Sequence, residues 1–253
     1  MKIAVAGGTG VLGKHIVDAC RGAGHDVSAL SRRTGSDLTT GEGLDVALAG
    51  VDVVVDASNT TSQAKRRATE FFTTVTHNLQ QAGSRSNVKR LITISIVNVD
   101  RLPTGYYAAK LAQEAAAREG PLPVTIVRAT QFHEFPVQIM ERFHLGPIAL
   151  MPRMRVQTVA ARALGEVVAD IAALPPAETT VNVAGPRPAD LLDLARAAIV
   201  RRGDKLRLVS PPIPGRAGSA MRSGLLLPPS DARLVGPTFE EWLTGDDVLT
   251  VGR

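Results

Sequence analysis

The sequence has a single cysteine, Cys20, among its 253 residues. One thiol cannot form an intramolecular disulfide, and it cannot supply a zinc site built from cysteines. Aromatic residues make up 4% of the chain, too few for the stacking platforms that bind single-stranded nucleic acid. No apolar run reaches the ~18 residues that a membrane-spanning helix needs. We therefore expect no disulfide framework, no nucleic-acid partner and no membrane partner, and a cytoplasmic location.

The composition is typical of a globular protein, with 44% hydrophobic and 21% charged residues. The net charge of +5 comes from arginines and lysines that are spread along the chain among 24 acidic residues. We interpret this as a solvated basic surface rather than a nucleic-acid site. The histidines show no metal-ligand spacing with carboxylates or the cysteine, so we expect no metal.

Short apolar runs alternate with helix-forming stretches through residue 128. Strands are predicted at 2–6, 26–30, 51–57, 88–95 and 123–128, and helices at 11–23, 63–82 and 106–118. This alternation is typical of a parallel sheet covered by helices on both faces. Further on the pattern weakens, with helices predicted at 159–174 and 189–202 and strands at 180–183 and 205–209. We predict an α/β fold with a core at 1–150 and a C-terminal region at 151–253 packed on the same domain.

A glycine-rich loop follows the first predicted strand. Gly7, Gly10 and Gly13 are evenly spaced and open the first predicted helix. Glycines allow a tight turn and let backbone N–H groups approach a pyrophosphate, which the positive end of the helix also attracts. The alternative is a tight turn that binds nothing. The strand-loop-helix context favours a dinucleotide site.

The second predicted strand ends at Leu30 and is followed by Ser31, Arg32 and Arg33. Dinucleotide folds that prefer NAD carry an acidic residue near this point, where it binds the ribose 2′-hydroxyl. Guanidinium groups instead bind a 2′-phosphate with paired donors. We expect NADP(H) to be preferred over NAD(H); the alternative is an arginine pair that only faces water.

Tyr106 and Lys110 are four residues apart in a predicted helix, so they share one face. A neighbouring ammonium favours the phenolate and lowers the tyrosine pKa. Such a tyrosine can exchange a proton with a carbonyl or hydroxyl oxygen. Ser95, at the end of the preceding strand, is predicted to hold that oxygen; Thr93, on the same strand face, is its rival. The alternative is a surface aromatic beside a solvated lysine.

These residues together resemble the short-chain dehydrogenase/reductase superfamily, and in detail its atypical NmrA-like NAD(P)-binding members. The resemblance runs through GGTGVLG, SIVNVDRLPTGYYAAKLAQE, RATQFHEF, VAGPRPADLLDLARAA and FEEWL. It implies a Rossmann-type doubly wound parallel sheet with a small C-terminal substrate-binding region.

The resemblance also implies roles for individual residues. The pyrophosphate contacts are Gly7, Thr9, Gly10, Val11, Leu12 and Gly13. Arg32 and Arg33 meet the 2′-phosphate, with Ser31 beside them. Ala57 and Ser58 lie along the adenosine and ribose. Lys110 binds the nicotinamide ribose, and Gln131 and Phe132 border the nicotinamide and the substrate.

Two departures from the family pattern stand out. The stretch after Leu30 is shorter than in the family, so the family's third strand is predicted to be short or absent between the strands at 26–30 and 51–57. Asp37 and Leu38 nevertheless resemble the pair that follows that strand and faces adenine. Many NmrA-like proteins lack the tyrosine and bind the nucleotide as redox sensors, whereas this chain keeps Tyr106 and Lys110.

The segment after Phe132 is expected to line a substrate pocket. His133 could act there as a second acid or base, but a polar pocket wall is the favoured interpretation. The apolar side of the pocket, or alternatively ordinary core, comprises Met140, Phe143, Leu150, Met151 and Met154.

The leading hypothesis is an NADPH-dependent oxidoreductase that reduces a carbonyl, quinone or conjugated alkene of a small apolar molecule. Tyr106 donates the proton, Lys110 lowers its pKa, and Ser95 holds the oxygen. The alternatives are a non-catalytic NADP(H)-sensing regulator and an isomerase or epimerase with retained NADP. The expected partner is a small-molecule substrate, and the expected assembly is a monomer or homodimer.

Overall fold

The structure, a computed structural model, describes residues 1–245 and 248. The strands described are β1 (Lys2–Ala6), β2 (Asp26–Leu30), β3 (Val53–Asp56), β4 (Arg90–Ile96), β5 (Val124–Ala129), β6 (His144–Leu145), β7 (Ile148–Leu150), β8 (Arg155–Val156), β9 (Thr179–Ala184), β10 (Ala189–Asp190), β11 (Arg207–Val209) and β12 (Arg233–Leu234). The helices described are α1 (Val11–Gly22), α2 (Leu44–Ala47), α3 (Lys65–Arg85), α4 (Gly105–Glu119), α5 (Phe135–Arg142), α6 (Ala161–Ala173), α7 (Leu191–Arg202), α8 (Gly215–Ser223) and α9 (Phe239–Thr244). None of these helices is both long enough and apolar enough to cross a membrane.

The main sheet has the strand order β12-β9-β5-β4-β3-β1-β2. Strand β1 lies between β2 and β3, and both pairings are parallel, as is the pairing of β3 with β4. This arrangement confirms the predicted Rossmann-type α/β fold. Two smaller sheets, β10-β8 and β11-β7-β6, were not predicted.

The chain between Leu30 and Val53 contains no strand. It forms a 3-10 turn at Arg32–Thr34 and the single-turn helix α2, so β2 is the last strand on its side of the sheet. The 3-10 turn is fixed by Thr34, whose hydroxyl accepts from the Ser31 N–H at 2.9 Å. The strand that the family has between β2 and β3, predicted to be short or absent, is absent here.

Backbone contacts divide the chain into two compact units. Unit 1 comprises Met1–Arg128 and Ala161–Val181, and unit 2 comprises Ala129–Ala160 and the described residues from Asn182 onward. The predicted division of roles at residue 150 stays a prediction.

The core of unit 1 lies on both faces of its sheet. Ala4 and Ala6 of β1 belong to a buried cluster with Leu79 of α3 and Ala117 of α4. Side chains alternate along a strand, so Ile3 and Val5 of β1, which are also buried, point to the opposite face.

Helix α1, which follows the glycine loop, packs against α6 in unit 1. Gly165 of α6 makes this packing close, because a Cβ there would lie 2.8 Å from the His15 carbonyl. Five residues of α1 are buried: Leu12, Gly13, Ile16, Val17 and Cys20. This packing anchors the helix whose first turn borders the loop.

Candidate functional site

Of the three evenly spaced glycines in the loop of unit 1, the outer two have no room for a side chain. Gly7 has φ +74°, and a Cβ there would lie 2.7 Å from the Ala57 carbonyl oxygen. A Cβ on Gly13 would lie 2.0 Å from the Gly7 oxygen. At Gly10, by contrast, a Cβ would meet only the Gly7 oxygen, at 3.3 Å. The chain itself therefore requires glycine at the outer two positions, whereas Gly10 has space beside it that a ligand can approach.

The first turn of α1 is suited to an anion. Its N-cap is Gly10, which has no side chain to cap the helix, and the turn carries no acidic residue. Thr9, Gly10 and Val11 are exposed, while Leu12 is buried. The unpaired N–H groups of a helix N-terminus bind phosphate groups well.

A second feature beside the loop fits a bound nucleotide. Ser58 follows Ala57 directly, and its buried hydroxyl has no hydrogen-bond partner among the described residues. A buried polar group without a partner is costly, so a ligand hydroxyl at this point stabilises the site. The loop, the uncapped helix and Ser58 together fit the pyrophosphate and ribose of a dinucleotide.

Arg32 and Arg33 lie on the 3-10 turn after β2, and both are exposed. Nearby, the hydrogen bonds from Thr39 hold the pKa of Asp37 below its usual range, and the charge of Arg32 acts in the same direction. Leu38 packs partly buried against the unit 1 core. The turn thus presents two guanidinium groups to solvent beside one carboxylate that is already held by its own loop.

Tyr106 is near the start of α4, and its hydroxyl donates to Asn59 Oδ1 at 2.7 Å. Its ring meets the edge of Phe72 with centroids 5.6 Å apart. Burial raises the pKa of Tyr106 well above its usual value, and Tyr107 adds to the rise. The lowering of this pKa that was expected from Lys110 is not found, because burial raises the pKa instead.

Lys110 is buried one helical turn further along α4. Its Nζ donates to the Ile94 carbonyl at 2.7 Å and to Gln113 Oε1. The same nitrogen lies 4.4 Å from the centroid of the Phe72 ring, so Phe72 contacts both Lys110 and Tyr106. Burial lowers the pKa of Lys110 to about 8, although Asp56 acts to raise it.

Gln113 connects Lys110 to a buried carboxylate. Its Nε2 donates to Asp56 Oδ2 at 2.8 Å, and Asp56 also accepts from the Ser58 N–H at 3.0 Å. Thr76 of α3 is a third, longer donor to Asp56, at 3.4 Å. Asp56 itself is fully buried at the end of β3.

Ser95 is buried, and its hydroxyl donates to Glu114 Oε1 at 2.6 Å. Glu114 is also bound by Arg128 through two bonds of 2.8 and 2.7 Å, and by Arg118 at 3.2 Å. A hydroxyl has one proton, so Ser95 has only lone pairs left for a substrate in this arrangement. Its rival Thr93 has a buried hydroxyl with no partner among the described residues.

His133 lies in unit 2, with both ring nitrogens engaged. Nδ1 is 2.7 Å from the Thr158 hydroxyl, and Nε2 is 3.1 Å from the Pro237 carbonyl, to which it donates. The ring packs against Phe239 and Trp242, each with centroids 5.5 Å away. Burial lowers the pKa of His133 to about 4. This geometry favours the polar wall over an acid or base.

Gln131 and Phe132 also belong to unit 2 and are half-buried. The Gln131 carbonyl accepts from the Val159 N–H at 2.9 Å, and its side-chain oxygen is buried without a partner among the described residues. Of the expected apolar set, Met151 and Met154 are buried, and Phe143 and Leu150 are 46% and 45% exposed. Met140 lines a cavity of about 450 Å³ within unit 2.

Sequence reasoning missed several residues of the unit 1 site: Asp56, Asn59, Phe72, Gln113, Glu114 and Arg128. Asp56 had a readable signal, because an acid that ends a buried β-branched strand needs partners. The others are brought in by tertiary contacts that no local pattern marks. Among residues 1–245 and 248, no group of His, Cys, Asp and Glu side chains could hold a metal ion.

The comparisons with known proteins bear on this site. A family model described as NAD(P)H-binding matches residues 7–166. UDP-N-acetylglucosamine 4-epimerase from Bacillus cereus is 20% identical with a TM-score of 0.71, covering 100% of this chain and 97% of its own. A short-chain dehydrogenase/reductase superfamily protein from Agrobacterium tumefaciens with bound NAD is 19% identical with a TM-score of 0.70, covering 96% and 95%.

The triphenylmethane reductase of Citrobacter sp. is 18% identical with a TM-score of 0.70, and the match covers 98% of this chain and 99% of that one. No curated protein matches the chain. At these identities, the likeness to solved structures shows a shared fold.

Proposed function

Because the chain belongs to the NAD(P)H-binding family, we propose that it is an NADPH-dependent oxidoreductase. Its substrate is a small apolar molecule with a carbonyl, quinone or conjugated alkene. The observation that carries this proposal is the shared contact of Tyr106 and Lys110 with the ring of Phe72. Both side chains lie against the same ring, in the unit that also contains the glycine loop.

The residues proposed to hold the cofactor fall into groups by the part of the nucleotide that they bind. The first turn of α1 and the glycine loop bind the pyrophosphate, with Thr9, Val11 and Leu12 alongside the glycines. Arg32 and Arg33 bind the 2′-phosphate with paired donors, which favours NADPH over NADH. The ribose and adenine contacts are Ser31, Asp37, Leu38, Ala57 and Ser58. When bound, the nicotinamide supplies a hydride.

Tyr106 is the proposed proton donor. The burial that raises its pKa keeps the phenol protonated at neutral pH, as a donor requires. Its hydroxyl leaves Asn59 and donates to the substrate oxygen. Ser95 is proposed to hold the same oxygen, for which its hydroxyl must turn away from Glu114; Thr93 is the alternative because its hydroxyl is free to turn.

Gln131, Phe132 and His133 are proposed to bind the substrate in unit 2. The buried Gln131 oxygen needs a donor, and Phe132 supplies apolar surface. His133 contributes as a wall, since both of its nitrogens are already bonded.

A second candidate function is an epimerase or isomerase that returns the hydride to its substrate. The fold shared with the Bacillus cereus 4-epimerase favours it. A further alternative is a sensor that binds NADP(H) without turnover. The presence of both Tyr106 and Lys110 argues against it.

The test compares wild type with Tyr106→Phe in NADPH oxidation against quinones, aldehydes, ketones and enones. We expect kcat to fall about 100-fold or more, because a positioned proton donor contributes at least that much, while NADPH affinity is kept. Tyr107→Phe, which alters the adjacent tyrosine, is the matched control and should retain turnover. Full turnover in Tyr106→Phe would overturn the role of Tyr106. NADPH binding without turnover on any substrate would favour the sensor.

A further inference from the structure

We propose that Asp56, acting through Gln113, keeps Lys110 charged and directed at the ribose of the bound nicotinamide cofactor. Asp56 and Gln113 are thus positioning residues, and this inference rests on the proposed binding of the cofactor by Lys110. Three side chains from β3 and α4 form the chain of contacts, and all three are buried.

The orientation of the Gln113 amide is fixed by its two neighbours. A carboxylate only accepts hydrogen bonds, and an ammonium only donates them. Gln113 must therefore present its NH₂ group to Asp56 and its oxygen to Lys110, as the structure has it. An amide in the reverse orientation would set donor against donor at Lys110 and acceptor against acceptor at Asp56.

The direction of the remaining Lys110 proton follows from this arrangement. An ammonium has three N–H donors in a fixed tripod. One goes to the Ile94 carbonyl of β4 and one to Gln113, so the third has a single remaining direction. The ring of Phe72, from α3, borders the nitrogen and adds a cation–π attraction.

The charges around Lys110 make Asp56 its principal counter-ion. Glu114, on the same helix as Lys110, is already paired with Arg128 and Arg118. Asp56 accepts from Gln113, Thr76 and a backbone N–H, and has no ion pair among the described residues. From α3 the facing groups are the uncharged Thr76 and Phe72, and Tyr106 of α4 also contacts Phe72. The negative charge of Asp56 is therefore balanced by Lys110 through the amide.

The consequence is a dependence of cofactor binding on pH. Burial lowers the pKa of Lys110 to about 8, so its charge is lost as the pH rises through that value. A neutral amine still serves Ile94 and Gln113 but turns a lone pair toward the ribose. Removing the charge of Asp56 favours the neutral amine and moves this loss to lower pH.

The experiment measures NADPH affinity by fluorescence between pH 6 and 10 for wild type, Asp56→Asn, Gln113→Met and Lys110→Met. We expect wild-type affinity to weaken about tenfold on the alkaline side, the loss of one charged hydrogen bond. Asp56→Asn and Gln113→Met should move this transition down by about one pH unit, and Lys110→Met should abolish it. Asp45→Asn removes an acid from an exposed pair with Arg85 and is the matched control, expected to titrate as wild type.

An unchanged transition in Asp56→Asn and Gln113→Met would overturn the proposal, as would an affinity in wild type that does not vary with pH. If Asp56→Asn does not fold, Gln113→Met decides, since it interrupts the same connection and keeps the Asp56 side chain with its bonds from Ser58 and Thr76. Because binding is measured directly, a chain that binds NADPH with the expected transition but turns over nothing contradicts only the proposed reductase function.

Discussion

Replacing Glu114 with glutamine should destabilise the protein by about 3 kcal/mol, because it breaks a buried ion pair from one side. The Glu114 side chain is fully buried, and Arg128 is 17% exposed. Both carboxylate oxygens accept from Arg128, so the new NH₂ group must face at least one guanidinium donor. The bond to Ser95 can survive on the remaining oxygen, which keeps the cost below complete removal of the side chain.

Thermal and urea unfolding measure this cost. A loss of about 3 kcal/mol lowers Tm by about 6–12 °C in a chain of this size. The control is Asp193→Asn, which removes an acid from an exposed pair with Arg196, and it should change the free energy of unfolding by less than about 0.5 kcal/mol. If Glu114→Gln unfolds like the control, the buried pair does not stabilise the chain and the reasoning fails.

The same variant should also change how the stability of the protein depends on pH. Although burial acts to raise it, hydrogen bonds from Arg128 and Ser95 hold the pKa of Glu114 below its usual value. The folded-state pKa is thus lower than the unfolded one, so the contribution of Glu114 is present above the unfolded value and is lost as the pH falls through the folded value. Wild type should therefore lose more stability than Glu114→Gln as the pH falls below about 4.5.

Two further predictions concern the cofactor and unit 2. Arg32→Ala should weaken NADPH binding about tenfold and leave NADH binding unchanged, since only NADPH carries the 2′-phosphate; Arg85→Ala is the control, and equal losses for both nucleotides would remove Arg32 from the phosphate site. The pKa of His133 is lowered to about 4, so the unfolded chain binds its proton first and wild type should lose up to about 3 kcal/mol as the pH falls from about 6.5 to 4. His133→Gln should remove that loss in urea titrations, and an unchanged pH dependence would contradict the assignment.

Local patterns account for most of what the sequence predicted about the fold. Each of these patterns lies within a short stretch of sequence: the glycine loop, the β-branched run that forms β3, and the periodicity of α1 and α4. The family's third strand was predicted to be short or absent because the stretch after Leu30 is shorter than the family pattern, so that prediction came from the resemblance. Helix α9 was missed although Thr238 and Glu241 form a capping box that the sequence displays.

The partners of the site residues could not be predicted in the same way. Asp56 and Gln113 are 57 residues apart, and Tyr106 and Asn59 are 47 apart. Which polar groups meet depends on how the helices pack on the sheet, and no periodicity encodes that. Sequence reasoning thus proposed Tyr106 and Lys110 but gave the wrong direction for the tyrosine pKa, because it counted the charge and not the burial.

The absence of a strand between β2 and β3 has a consequence for association between chains. With β2 as the last strand, one side of its backbone has no neighbouring strand, and sheets can aggregate through such an edge. Two carbonyls of β2 already accept side-chain donors, Val27 from Arg21 at 3.1 Å and Ala29 from the Thr34 hydroxyl at 2.9 Å. Strand β2 is only five residues long, begins with the exposed Asp26, and is followed at once by Arg32 and Arg33 on a turn. Short length and flanking charges are the usual protection of an open edge. The two arginines proposed to select NADPH also flank this edge, so neutralising both should make the chain more prone to self-association.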